Sequence, residues 1–303
     1  MPLRKDIWRP AIVAATATEI LDRGSVEEFA CHWLPAMGSF RFLADPFGMW
    51  RDGRLHVFAE GYDYRHRVGW IEAFVYGSDF ALLERGPALV EPWHLSYPFV
   101  FEAEGETWMV PEAHKSRRLT FYRTVDFPFR WEPAIHVELD HVPIDATPLF
   151  HDGLWWLFYT SADQEAAKTG SLHVAYAERL SGPWRPHVGN PVRIDPAGAR
   201  PGGTPILRDG AILLPVQDCS TTYGGAIGLL RITTLTPDRF EARLEEGLRA
   251  PPGMAPFTEG LHTFSAAGPV TLIDVKRTEL SVHGLAVQLG ERVRREWRKR
   301  RGG

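Results

Sequence analysis

One short pattern returns five times along the chain. A polar residue, usually followed by proline, leads into two or three apolar residues, a turn glycine, and an apolar run that ends on a polar side chain. The copies read DPFGMWRDGRLHVFAE from Asp45, YPFVFEAEGETWMVPE from Tyr97, TPLFHDGLWWLFYT from Thr147 and TPILRDGAILLPVQD from Thr204, with a degenerate fifth, HTFSAAGPVTLIDVK, from His262. A period of roughly 50 residues with two or more strands per unit is the signature of a β-propeller. The expected fold is therefore all-β: a single five-bladed propeller over residues 1–303 with short N- and C-terminal extensions, its blades beginning near 45, 97, 147, 204 and 262. Such a fold gathers equivalent residues of every blade around one channel.

The rest of the sequence fits this reading. DG and EG pairs ahead of the second strand of a copy are hairpin signals. The runs FVF, LWWLFY and AILLPV suit strands buried on both faces, so Trp155 and Trp156 read as core and not as ligand stacks. Trp8 to Ala14 reads as a strand, and Ser25-Val-Glu-Glu as a helix start. Cys31 and Cys219 are the only cysteines and have no metal-ligand spacing, which points to a reducing compartment, the cytoplasm. The net charge of −4 gives the body no preference for nucleic acid. The segment Gly290 to Arg301 carries a net +5, so the tail 281–303 is either a solvated helix or a contact for an anionic membrane surface or nucleotide phosphates, which would place the protein at the inner face of a membrane. Phosphate-loop, HExxH, CxxC and GxSxG patterns are absent.

The acids at the ends of the repeats are the candidate chemistry. Glycosyl cleavage or transfer needs two carboxyl groups across a sugar, one protonated and one ionised, and a propeller delivers them from separate blades. Asp45 is the expected base or nucleophile. Glu60 and Glu112 lie at matching offsets from their prolines, so either serves as the acid. Asp145 is a supporting carboxylate. His262 is placed to bind a sugar hydroxyl, a metal or a water, or to tune a carboxylate. Asp274 and Lys276 suggest an inner-rim ion pair, with Lys276 also suited to a phosphate or carboxylate. Tyr62 and Arg65 form a polar aromatic turn for stacking on a sugar or pairing with an anion. His114 rims the same pocket, and Asp218 ends blade four beside Gln217.

The segments Phe42 to Ile71, Thr107 to Glu132 and Glu259 to Arg277, with the opening DIWRPAIV, resemble the N-terminal domain of plant glucosamine inositolphosphorylceramide transferase and its bacterial relatives. The resemblance extends over nearly all of the chain. It implies distant kinship with the propellers of arabinanases, xylosidases and invertases, whose first-blade Asp is matched by Asp45. Their third-blade Asp is matched by Asp145 with an offset of two residues, and their channel histidine by His262, sometimes beside a metal ion. Their acid Glu has no counterpart in blade four. No cofactor is otherwise expected. The implied role is glycoside cleavage or glycosyl transfer in bacterial surface-glycan or glycolipid metabolism. The alternative is a non-catalytic module that holds a sugar, glycolipid or nucleotide sugar for a partner glycosyltransferase.

Overall fold

The computed structural model describes residues 4–280, and the basic tail with its expected membrane contact lies outside the described residues. Five antiparallel sheets stand around a common axis. Blade one comprises Arg41–Arg51, Arg54–Asp63, Val68–Tyr76 and Leu82–Leu89, and blade two Ser96–Ala103, Glu106–Glu112, Leu119–Asp126 and Arg130–Val137. Blade three is built on Pro143–His151, Leu154–Ser161 and Ser171–Ala177, with short outer pieces. In blade four a broken inner strand, Arg200–Pro201 then Ile206–Arg208, precedes Ala211–Asp218, Ala226–Leu235 and Phe240–Leu248. Blade five joins the two ends of the described chain. Its inner strands Gly260–Ala267 and Val270–Leu280 are completed by Arg4–Val13 and Cys31–Trp33. Arg4–Val13 runs against Val270–Leu280 from Arg4 opposite Leu280 to Val13 opposite Thr271, and so closes the ring.

The buried apolar residues divide into five clusters, one for each seam between blades. This explains the unbroken apolar runs. Trp155 packs with Phe101 and Phe121 in the seam between blades two and three, whereas Trp156, its neighbour on the opposite face of the strand, packs between blades three and four. A strand covered on both sides has no face left for polar alternation.

The helix near the N-terminus is Ala17–Arg23, not the segment starting at Ser25. Thr16 is its N-cap, and Thr16 with Glu19 forms a capping box. Gly24 ends the helix in the left-handed region, one residue before Ser25, whose hydroxyl instead accepts from the Glu27 N–H in a turn. No helix among the described residues is long and apolar enough to cross a membrane.

Candidate functional site

The inner strands of blades one, two, three and five each carry a bulge where the ladder skips residues, and the bulge turns a side chain into the channel. In blade one it holds Asp45 and Pro46, between the Ala44–Glu60 and Phe47–Phe58 pairs. In blade two it holds Tyr97 and Pro98, between Ser96–Glu112 and Phe99–Val110. In blade three it holds Asp145 and Ala146, between Ile144–Thr160 and Thr147–Phe158. Asp145 is thus the structural equivalent of Asp45. The offset of two in the sequence arises because Pro148 has shifted along the strand, while the bulge has kept its place. In blade five the irregularity falls at His262. Asp45, Tyr97 and Asp145 all adopt positive φ, at +50°, +45° and +51°. Such backbone costs about 1–3 kcal/mol per residue and persists only where the surroundings impose it.

Tyr97 bars the channel. Its hydroxyl lies 2.9 Å from Thr147 Oγ1 and accepts the Gly203 N–H at 3.0 Å, so one side chain ties blade two to blades three and four. Its own N–H donates to Asp45 Oδ2 at 3.1 Å. Gly203 meets this crossbar because it lies so close to Phe264 that a Cβ would fall 1.9 Å from the Phe264 carbonyl oxygen.

Above the crossbar the acids converge. Asp45, Glu60, Glu112 and Asp145 are only 2–6% exposed. His262 is the hub: Nδ1 lies 2.7 Å from Asp274 Oδ1 and Nε2 lies 3.4 Å from Asp45 Oδ1. The ring is stacked on Trp8, with centroids 3.6 Å apart and planes 8° apart. Burial alone would lower the His262 pKa, but the charges of Asp274 and Asp45 outweigh it and raise it. Asp274 also accepts the Asp45 N–H at 2.8 Å and the Thr263 N–H at 3.0 Å. Asp145 is held by Arg200 Nε at 2.6 Å and Gln217 Nε2 at 3.1 Å. Burial pushes Asp145 above the usual carboxylate range, and the guanidinium opposes it.

The acids are not alike. Burial, reinforced by Asp274 and Asp145 and opposed by His262, raises Asp45 to about 7. Glu60 is held well above the ordinary range by burial and then by the charges of Asp45 and Glu112. Its ion-pair neighbour is His94, at 3.6 Å. His94 accepts the Gly69 N–H on Nδ1, so Nε2 is the nitrogen turned toward Glu60. Glu112 goes the other way. Burial would raise it, but the His114 N–H at 2.7 Å and ring nitrogen at 2.5 Å, with the charges of His114 and His94, lower it. A carboxyl shifted toward its protonated form near another shifted toward its ionised form is the division that acid–base chemistry requires.

Glu60 also lines a 640 Å³ cleft at the channel mouth, with Trp8, Tyr62, Trp93, His94 and Tyr223 among its walls. The opposite side of the mouth is covered by the loop that carries Tyr223. Tyr223 meets Trp8 and His262 edge-on, and Arg200 lies 5.1 Å from its ring. Gly224, at φ +61°, seats the loop where a Cβ would lie 2.6 Å from His262 Cβ.

The structure brings Asp45, Glu60, Glu112, Asp145, His262 and Asp274 together, puts Tyr62 in the cleft wall, and ties His114 to Glu112. Three expectations need correction. Lys276 does not pair with Asp274. It is almost wholly buried and donates to the Tyr223 carbonyl at 2.5 Å, Thr222 Oγ1 at 3.1 Å and Asp6 at 3.4 Å, so it anchors the covering loop. Arg65 is drawn onto Asp63, at 2.6 Å, in its own hairpin, and Arg67 reaches the cleft instead. Asp218 caps a turn by accepting from Ser220, while its neighbour Gln217 faces the channel. Strand alternation explains this exchange, because adjacent residues take opposite faces.

Sequence reasoning missed Tyr97, Arg200, His94 and Trp8. Tyr97 stands before its proline just as Asp45 does, and that signal was readable. Arg200 lies between repeats and has no local signature.

The fold and site define a five-bladed propeller whose channel is lined by carboxyl groups from separate blades. Residues 29–250 match the family described as glucosamine inositolphosphorylceramide transferase 1, N-terminal, and the chain belongs to that family. The match ends before Glu259 to Arg277 and starts after DIWRPAIV, so it covers less of the chain than those motifs suggested. The chain is 36% identical over 215 residues to glucosamine inositolphosphorylceramide transferase 1 of Oryza sativa subsp. indica, with 68% of this chain and 28% of the relative aligned. For the Arabidopsis thaliana protein of the same name the figures are 35%, 66% and 26%. The chain therefore spans little more than a quarter of these relatives. Among solved structures, the catalytic domain of Coprinopsis cinerea GH62 α-L-arabinofuranosidase superposes with a TM-score of 0.57 at 13% identity, covering 80% of this chain and 93% of that one. At that identity the likeness concerns the fold alone.

Proposed function

We propose that the channel mouth binds a glycoside and cleaves or transfers its glycosyl group, with Glu60 as the acid and Asp45 as the ionised partner. The observation that carries this reading is the position of Glu60, a buried carboxyl in the wall of an aromatic cleft, whose pKa is raised by burial and by the charges of Asp45 and Glu112. Trp93 and Tyr62 offer the faces on which sugar rings stack. Burial holds Asp45 near 7, so it serves as the ionised partner above that pH; His262 and the Tyr97 N–H favour its charged form, and Asp274 fixes the imidazole. The acidic floor favours a ligand with a cationic group. An amino-sugar glycoside is that class, in keeping with the glucosamine in the relatives' names.

Asp45→Asn should abolish turnover of an amino-sugar glycoside while leaving its affinity, measured by calorimetry, nearly intact. Unchanged turnover would reject the assignment. A second reading, a binding module serving a transferase, is favoured by the slight exposure of the carboxyls and by Gln217 in blade four, where a Glu would suit catalysis. It predicts affinity for the same glycosides with no turnover in the unaltered protein.

Asp45, His262 and Asp274 offer ligand atoms within 4.8 Å of one another, a donor set for a small cation. A metal needs neutral imidazole, yet both His262 nitrogens already face carboxylates. The residues fit an imidazolium better, and we assign the cation at this hub to His262 itself. Dialysis against EDTA should leave the melting temperature unchanged, and a drop restored by calcium or zinc would contradict the assignment.

A further inference from the structure

A second cleft, of 450 Å³, opens beside the seam where Arg4–Val13 closes the ring, and it shares Trp8 and Phe42 with the channel mouth. Three arginines line it: Arg9, Arg41 and Arg277. Arg9 and Arg277 come from adjacent antiparallel strands, where Arg9 stands opposite Val275 and Arg277 opposite Ile7, so they are diagonal neighbours. Both guanidinium groups lean on one ring. Arg277 lies 5.1 Å from the Phe257 centroid and Arg9 5.9 Å from it, with Arg9 also 4.7 Å from Trp33.

The charges are poorly matched. Arg277 donates to Glu279, and Arg41 is drawn off to Asp63 at 2.8 Å, but Arg9 has no carboxylate within ion-pair distance among the described residues. The Nε atoms of both Arg9 and Arg277 are shut off from solvent and make no hydrogen bond. Burial, and then the like charge of Arg277, lowers the Arg9 pKa. Buried donors without acceptors are rare in folded proteins, and both belong to guanidinium groups that line one cleft, a setting that favours an anion. Planar guanidinium forks match tetrahedral oxyanions in particular. Ser39 and Glu279, the carboxylate paired with Arg277, also line the wall, and most of the remainder is apolar, with Ile7, Phe42 and Phe257. Such a wall would receive the carbon part of an ester.

We infer that Arg9 and Arg277 form a binding site for a phosphate ester, separate from the carboxyl-lined channel. A soluble sugar phosphate and a phospholipid headgroup share this chemistry. Calorimetry on the full chain with inorganic phosphate, glucose 6-phosphate, and phosphatidylcholine vesicles containing phosphatidic acid separates the sources. Saturable binding of glucose 6-phosphate or of the anionic vesicles, weakened roughly tenfold or more in Arg9→Gln/Arg277→Gln, supports the site. Preference between the two probes identifies the source. Arg9→Lys should recover only part of the loss, because an ammonium lacks the fork. Should the double variant fail to fold, Glu279→Gln gives an independent reading, since it frees Arg277 and should tighten binding. No saturable binding of either ester, binding of inorganic phosphate alone, or affinity indifferent to both the arginine and Glu279 substitutions would overturn the inference.

Discussion

Glu60→Gln should lower turnover of a bound glycoside by about 10²–10⁴-fold, the usual range for losing a positioned general acid, with little change in affinity. The amide keeps the shape and a donor but carries no transferable proton. The same substitution should change how stability depends on pH. A carboxyl whose folded pKa lies above its unfolded value contributes stability that is complete below the unfolded value, near 4.3, and is lost as pH rises through the folded value. Glu60 is such a group because ionising it adds a charge beside Asp45 and Glu112 in a buried channel. The stability of Glu60→Gln relative to the unaltered protein should therefore improve as pH rises from about 4.3 toward the folded value. Parallel melting curves across that range would show that Glu60 is solvated and not the acid.

Arg200→Met should destabilise the fold by about 3–5 kcal/mol, the cost of removing one partner from a buried ion pair. Arg200 is the guanidinium that holds Asp145, at 2.6 Å, where both side chains are largely buried. It also donates to the Lys168 carbonyl at 3.2 Å and so fastens the blade-three loop over the channel. Left alone, Asp145 would have to take up a proton or keep a buried charge with only Gln217 beside it. The double substitution Arg200→Met/Asp145→Leu should recover much of the loss, since an apolar pair carries no desolvation cost. Denaturant unfolding of the two single variants and the double variant provides the cycle. A single-variant cost below about 1 kcal/mol, typical of exposed pairs, would show that the pair is solvated.

Much of this architecture was legible because a repeat is a statement about symmetry. Five copies gave five blades, and the unbroken apolar runs showed that strands such as Leu154–Ser161 are covered on both faces. The register within each blade was less accessible. Proline alone suggested that Thr147 matches Asp45, but the bulge, a backbone property, shows that Asp145 does. Local chemistry hid the helix as well. The Thr16–Glu19 box and Gly24 set its limits, while Ser25 only resembled a cap. Arg200 and His94 were invisible for a different reason. His94 lies in the connection between blades one and two and Arg200 opens the broken inner strand of blade four, and only the packing of the blades brings them onto Glu60 and Asp145. The same closure lays Trp8, near the start of the chain, on His262, near the end of the described residues.

The proposed chemistry requires carboxyl groups from separate blades to share one sugar. A crystal of the Asp45→Asn variant soaked with an amino-sugar glycoside tests this most directly. The predicted result is a sugar ring against Trp93 or Tyr62, with its glycosidic oxygen within hydrogen-bond reach of Glu60 and its anomeric carbon facing residue 45. A sugar bound elsewhere, with the channel carboxyls still closed on one another, would contradict it.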